Sequence, residues 1–143
     1  MATIRHQLSI DAPVATVYEA IATAEGIGTW VGPEDTHRDG RGVVLEHHPG
    51  PEHGVVKLRV VELVPDRRVE WECITTHPAS SPASAWTGTH FMFELAERGD
   101  RTTALDFRQT NYDEHSPFFR SNTVAWGQVL ERLKQVVESR AVQ

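Results

Sequence analysis

The sequence has one cysteine and no long apolar run, and both features limit what the protein can be. Cys73 alone excludes an intramolecular disulfide framework and is typical of a reducing compartment. No segment approaches the ~20 consecutive apolar residues that a membrane-spanning helix needs. Residues 1–11 interleave charged and apolar side chains, which is not the pattern of a secretion signal. We therefore expect a cytoplasmic protein with no membrane partner.

Concentrated positive charge is also missing. The formal net charge is -6, and arginine and glutamate alternate along the chain, which argues against a nucleic-acid partner. No glycine-rich phosphate loop joins a strand to a helix, and no nucleophile-elbow motif surrounds a serine, so we expect no cofactor. The 143 residues contain no linker or repeat and are 39% hydrophobic, which predicts one domain over residues 1–143.

Histidines are concentrated in one loop-like segment. The segment contains His37, His47, His48 and His53. A zinc site needs three or four converging ligands, whereas adjacent histidines on a strand point to opposite faces. We expect no metal site and interpret this segment as exposed loop.

The strongest pattern that is present is an apolar stripe near the C-terminus. At helical spacing, residues 117–140 place one sector of apolar side chains together. Ser116 favours a helix cap, Pro117 suits the first turn, and Asn122 is the one polar residue inside the stripe. The stripe consists of Phe118, Phe119, Ala125, Trp126, Val129, Leu130, Leu133, Val136 and Val137. We predict a long terminal helix.

Upstream of this helix, most patterns are those of strands. Residues 3–10 alternate strictly, Pro13 then favours a helix that ends near Thr23, and a second short helix or turn leads to Trp30. Further strands are predicted over residues 55–64, 68–76, 85–97 and 102–112, with short, loosely specified strands between residues 32 and 54. This order predicts an α+β fold: a curved antiparallel sheet of six or seven strands around the terminal helix.

Four segments carry a resemblance to a known family. Residues 10–21 look like its first strand and helix, residues 27–30 like the segment where a tryptophan follows the second helix, and residues 61–71 like its central hairpin. Residues 126–133 resemble its terminal helix, although the family more often has glycine before tryptophan. The chain is similar to the START-like, helix-grip (SRPBCC) superfamily. Within it, the chain resembles the branch of the heat-shock chaperone ATPase activator and polyketide cyclase-like domains.

The resemblance implies a cavity between sheet and terminal helix that holds an apolar small molecule. Such proteins include ligand carriers, cyclase/aromatase enzymes without cofactors, and chaperone-interacting domains, so the fold leaves the activity open. We expect binding of a hydrophobic or aromatic ligand, with the other two functions as alternatives, in a monomer or homodimer.

Side chains on three strand faces and on the terminal helix are the candidate cavity wall. The faces carry Trp71, Cys73 and Thr75; Thr87, Thr89, Phe91 and Phe93; and Leu105, Phe107, Gln109 and Asn111. The predicted ligand-binding residues are Trp30, Trp71, Cys73, Thr89, Phe91, Phe107, Gln109, Phe119, Asn122 and Trp126. The alternative is that these residues are ordinary core. Asn122 is the sharpest candidate, and we expect Asn122→Leu to alter ligand selectivity at little cost in stability.

Acid–base catalysis would need a tuned base and a donor near one substrate. His6, Tyr18, Arg59 and Tyr112 are candidates, but no spacing brings them together. A histidine on an apolar strand face is more often structural, and a thiol in an apolar strand, as at Cys73, is inert. We assign no catalytic residue.

Overall fold

Alternating apolar residues build a seven-stranded antiparallel sheet in the order β1-β7-β6-β5-β4-β3-β2. The computed structural model describes residues 2–30, 34–39, 42–47, 56–76, 82–99 and 101–141. The strands are β1 Ala2–Ile10, β2 Glu34–Asp39, β3 Gly42–His47, β4 Val56–Val64, β5 Arg68–Cys73, β6 His90–Glu97 and β7 Thr103–Tyr112. The helices are α1 Val14–Ala22, α2 Ala24–Gly28 and α3 Phe119–Ala141, with a 3₁₀ helix at Pro82–Trp86.

The predicted α+β helix-grip architecture is confirmed. The sheet is curved, and α3 packs against it through Trp126, Leu130, Leu133 and Val137, all of which are buried. The chain closes the sheet on one side by pairing β1 with β7, so the first and last strands are neighbours. Within the described residues, no helix is long and apolar enough to span a membrane.

The first strand and the two short helices form as the sequence predicts. Thr23 ends α1 and caps α2, because its Oγ1 accepts the Gly26 N–H at 2.9 Å. A Cβ at Gly26 would lie 2.2 Å from the Glu19 carbonyl oxygen, so α2 approaches α1 more closely than a larger residue permits. This approach lets Trp30 donate its indole N–H to the Ala20 carbonyl at 2.8 Å.

The predicted strand over residues 85–97 is wrong in its first part. The strand begins only at His90, because Gly88 has a φ of 78° and reverses the chain. Thr89 donates both its N–H and its hydroxyl to the Trp86 carbonyl, at 2.8 and 2.6 Å, which fixes the turn. Thr87 is therefore exposed and does not share a face with Phe91.

The predicted face of β7 is correct up to Gln109 and wrong at Asn111. Asn111 has a φ of 63°, and the β1–β7 register shifts opposite it, between Ala2 and Ile4. This bulge turns Asn111 out to solvent and Tyr112 into the core. Asparagine adopts this backbone conformation more readily than other non-glycine residues.

The terminal helix begins two residues later than predicted, and Ser116 binds the backbone of the turn that precedes it and not a helical N–H. The Ser116 Oγ accepts the Phe118 N–H at 3.1 Å. Most of the predicted stripe is buried or half-buried, but Ala125 is exposed.

Candidate functional site

A cavity of about 200 Å³ lies between the sheet and α3. Among the described residues, its wall consists of Ile27, Leu45, Val56, Leu58, Trp71, Trp86, Phe91, Asn122, Ala125, Trp126 and Val129. The side chains of this described wall are apolar apart from the Asn122 amide and the indole N–H groups. Because Ala125 borders the cavity and is also exposed, the cavity reaches the surface beside it.

Aromatic rings form the inner end of the cavity. The ring centre of Phe91 lies 5.5 Å from that of Trp86 and 5.5 Å from that of Trp126, while Trp71 lies 6.2 Å from Phe91. The Trp126 ring also packs on Phe107 at 4.4 Å. These edge and tilted contacts pack the rings against one another, so most of the wall is in place without a ligand.

Asn122 provides the amide on this wall. Its side chain is 6% exposed, and its Nδ2 donates to the Tyr112 hydroxyl. Burial raises the pKa of Tyr112, which keeps this hydroxyl neutral at physiological pH. The amide is therefore held by a neutral partner behind the wall, in a fixed orientation.

Gln109 and Thr89 belong to a buried relay of hydrogen bonds beside the cavity. Trp126 Nε1 donates to Gln109 Oε1 at 3.1 Å, and Gln109 Nε2 donates to Thr89 Oγ1 at 3.0 Å. The Thr89 hydroxyl in turn donates to the Trp86 carbonyl. The relay ties α3, β7, the residue before β6 and the 3₁₀ helix together. Gln109 and Thr89 thus have partners within the protein and do not line the cavity.

The remaining predicted residues lie around the cavity and not on its wall. Trp30 packs edge-on to Phe93 at 6.2 Å, and Phe119 packs edge-on to Tyr112 at 5.3 Å. Burial raises the pKa of the Cys73 thiol, whose Sγ lies 3.9 Å from the Thr75 carbonyl oxygen. The thiol is therefore protonated and buried. Of the predicted set, the wall itself contains Trp71, Phe91, Asn122 and Trp126.

Trp86 is the main wall residue that the sequence did not predict. It was placed in a strand that does not exist at that position. The signal for the correct structure was Gly88, which interrupts the predicted strand and marks a turn. Trp86 also has an unusual feature: its indole Nε1 is shielded from solvent and has no hydrogen-bond partner in the part of the chain that is described.

The acid–base candidates lie away from the described wall. His6 Nε2 lies 2.8 Å from the Thr123 carbonyl oxygen, and a Cβ at Gly127 would lie 3.2 Å from His6 Cε1. Tyr112 is behind Asn122, and neither Tyr18 nor Arg59 borders the cavity.

No cluster of three metal-ligating side chains exists in the residues described. His48 and His53 lie outside those residues, as do the side chains of His37 and His47.

Charged side chains alternate with the buried ones and so occupy the outer face of the sheet. Arg68 contacts Glu62, Glu70 and Glu94 at 2.8, 2.9 and 3.2 Å. Arg5 binds Asp106 at 2.9 Å across β1 and β7. These ion pairs are thus separated from the cavity by the thickness of the sheet.

The curved antiparallel sheet, the terminal helix across it and the cavity between them define a helix-grip protein of the START-like (SRPBCC) superfamily. Residues 11–138 match the family described as "Activator of Hsp90 ATPase homolog 1-like protein". The chain therefore belongs to this family. No curated protein sequence matches it.

Solved structures share the fold along nearly the whole chain. The Aha1 dimer from Colwellia psychrerythraea is 27% identical, with 96% of this chain and 97% of that chain covered and a TM-score of 0.74. Protein MLL2253 from Mesorhizobium loti is 17% identical, with 96% and 98% covered and a TM-score of 0.76. CalU16 from Micromonospora echinospora is 18% identical, with 94% and 73% covered and a TM-score of 0.70.

Proposed function

We propose that the protein binds a small hydrophobic or aromatic molecule in the cavity between the sheet and α3. The observation that carries this proposal is an aromatic wall that, in the part of the chain described, includes one buried amide, Asn122. Small-molecule sites typically combine apolar walls with a few fixed polar groups in this way.

The size of the cavity limits the ligand. An engineered apolar cavity of about 150 Å³ holds benzene. At about 200 Å³, the cavity fits a molecule of one or two rings. Larger polycyclic molecules or lipid chains would extend through the opening beside Ala125.

Asn122→Leu tests the assignment. A panel of neutral aromatic compounds is screened by thermal shift, and binding is located by backbone and indole NMR signals. We expect hits to move the signals of Trp71, Trp86 and Trp126, and Asn122→Leu to shift preference from oxygen-bearing to purely apolar compounds. Glu131→Gln is the matched control, because Glu131 is exposed on the same helix. Binding that is located elsewhere, or a panel without any binder, contradicts the proposal.

The cyclase-type alternative uses the same cavity. It would require an acid or base within reach of the substrate. The described wall carries no titratable side chain, so simple binding is favoured over proton abstraction.

An interaction with an Hsp90-type chaperone is the second candidate, which the family description and one surface feature favour. β4 pairs with β3 as far as Arg59. Beyond that residue, β4 carries two apolar residues, Val61 and Leu63, that are 48% and 46% exposed. An apolar patch on a strand edge is a typical protein-binding surface. The test is the ATPase rate of the same organism's Hsp90 with the wild type and with Leu63→Lys. If neither protein changes the ATPase rate of Hsp90, this function is contradicted, whereas the ligand-binding proposal is not.

A further inference from the structure

Trp86 differs from Trp30 and Trp126 in the hydrogen bonding of its indole N–H. The indole N–H of Trp30 is held by the Ala20 carbonyl, and that of Trp126 is held by Gln109. The Trp86 N–H is buried and unpaired, although its ring centre lies only 6.4 Å from that of Trp126. A buried indole N–H usually finds a partner, because leaving a donor unpaired costs about 1–3 kcal/mol.

The backbone of Trp86 is fixed, whereas its side chain has no polar anchor. The Trp86 carbonyl accepts two hydrogen bonds from Thr89, which hold the end of the 3₁₀ helix in place. Its indole is half-buried and is held only by ring packing on Phe91 and Trp126. A turn of the ring would break a hydrogen bond at Trp30 or Trp126, but it would break none at Trp86.

Trp86 also borders the same end of the cavity as the amide. Asn122 and Trp126 are four residues apart and share one face of α3, and the Trp86 ring packs beside Trp126. A ligand between sheet and helix would therefore contact the Asn122 amide and the Trp86 ring together.

We propose that Trp86 is a specificity-determining residue: its indole turns on binding and donates its N–H to an acceptor oxygen of the ligand. The inference rests on the proposed binding function and narrows the ligand class. The cavity then selects neutral molecules of one or two rings that carry a carbonyl or ether oxygen. Charged ligands are disfavoured because the described wall has no counter-charge, and an unpaired buried charge is costly.

The test compares two probes of nearly equal size, indane and indanone, which differ by one carbonyl oxygen. Binding of each is measured by titration with the wild type and with Trp86→Phe, which keeps an aromatic ring but removes the N–H. We expect the wild type to bind indanone about fivefold more tightly, as a single net hydrogen bond predicts. In Trp86→Phe the preference for indanone becomes smaller by about this factor, while indane still binds.

Proton–nitrogen correlation spectra of the indole groups give a second readout that does not depend on the variant's stability. Indanone should move the Trp86 N–H proton downfield in the wild type, and indane should not. The Trp30 signal reports that Trp86→Phe is folded. Equal binding of both probes, or a downfield shift at Trp71 in place of Trp86, overturns the inference and leaves ligand binding intact. If neither probe binds or moves any cavity signal, the proposed function itself fails.

Discussion

Asn122 and Tyr112 form a polar pair behind the cavity wall, and the pair changes what a mutation at Asn122 should do. From the sequence, Asn122 was an isolated polar residue in an apolar stripe, so its replacement by leucine was expected to cost little. In the structure its amide donates to a buried tyrosine hydroxyl. Removal of the amide leaves that hydroxyl with one partner fewer, and a buried polar group that loses its partner destabilises the protein.

A double-mutant cycle measures this coupling. We expect Asn122→Leu to lower the free energy of unfolding by about 1–3 kcal/mol. In the Tyr112→Phe background the same change should cost about 1 kcal/mol less, because no hydroxyl remains to be satisfied. Urea unfolding of the four proteins gives the coupling energy. Additive effects would show that the two side chains do not interact.

Two contacts of different chemistry hold α3 against β1 and the residue that follows it. In the first half of α3, the His6 ring of β1 lies close to Gly127 and contacts the Thr123 carbonyl. Near its end, Glu138 accepts the Asp11 N–H at 2.8 Å and binds Lys134 at 2.6 Å. These contacts hold the helix across the sheet and so keep the cavity open beneath it.

The close approach of Gly127 to His6 predicts that the effect of Gly127→Ala on stability depends on whether His6 is present. Alanine is favoured over glycine inside a helix by about 1 kcal/mol. A Cβ at residue 127 would lie 3.2 Å from His6 Cε1, and the ring cannot easily retreat from its carbonyl contact. We expect Gly127→Ala to gain the full amount only in a His6→Ala background. Thermal unfolding of the single and double variants checks this, and an equal gain in both backgrounds would contradict it.

The contact at Glu138 predicts a pH-dependent contribution to stability. The Asp11 N–H and the Lys134 ammonium lower the pKa of Glu138 below its ordinary 4.5. Because the pKa is lowered in the folded state, the ionised carboxylate stabilises the fold fully above pH 4.5. This gain is lost as the pH falls from 4.5 through the lowered pKa. We expect Glu138→Gln to cost at most about 1 kcal/mol at neutral pH and progressively less below pH 4.5. The measurement is denaturant unfolding against pH. Glu131→Gln, an exposed substitution also on α3, is the control variant.

At the scale of the whole molecule, the sheet separates two environments. The described ion pairs of the sheet lie on its outer face, and the described cavity wall is apolar apart from Asn122 and the indole N–H groups. On this described wall, a ligand meets aromatic rings, the Asn122 amide and no opposite charge. The exposed apolar residues Val61 and Leu63 of β4 are not part of the cavity wall, so a protein could bind there independently of a ligand.

This separation predicts the response of the whole protein to ligand charge. A neutral binder at about 100 times its Kd should stabilise the fold by about 2.7 kcal/mol. Its carboxylate derivative should bind at least about tenfold more weakly, because the charge would be buried without a partner. Melting temperatures with both compounds at low and high salt check this. Equal stabilisation by the carboxylate would place a cation at the cavity and contradict the described wall.

The alternation of residues 3–10 and the stripe at Trp126, Leu130 and Leu133 were enough to predict the order of elements and the helix across the sheet. Both patterns depend only on backbone periodicity, which local sequence contains. The phase of β7 beyond Gln109 and the start of β6 were not predicted correctly. Each depends on a single residue with positive φ, Asn111 or Gly88, whose effect is set by the strands around it.

The fold class, the apolar faces and the polar residue Asn122 within the helix stripe could be predicted from composition and spacing alone. Which of these residues border the cavity depends on three-dimensional packing. The tertiary structure gave Gln109 and Thr89 partners within the protein, placed Tyr112 behind Asn122, and brought Trp86 onto the wall with an unpaired N–H. Hydrogen-bond partners far apart in the chain are chosen by three-dimensional packing, and no local pattern contains that information.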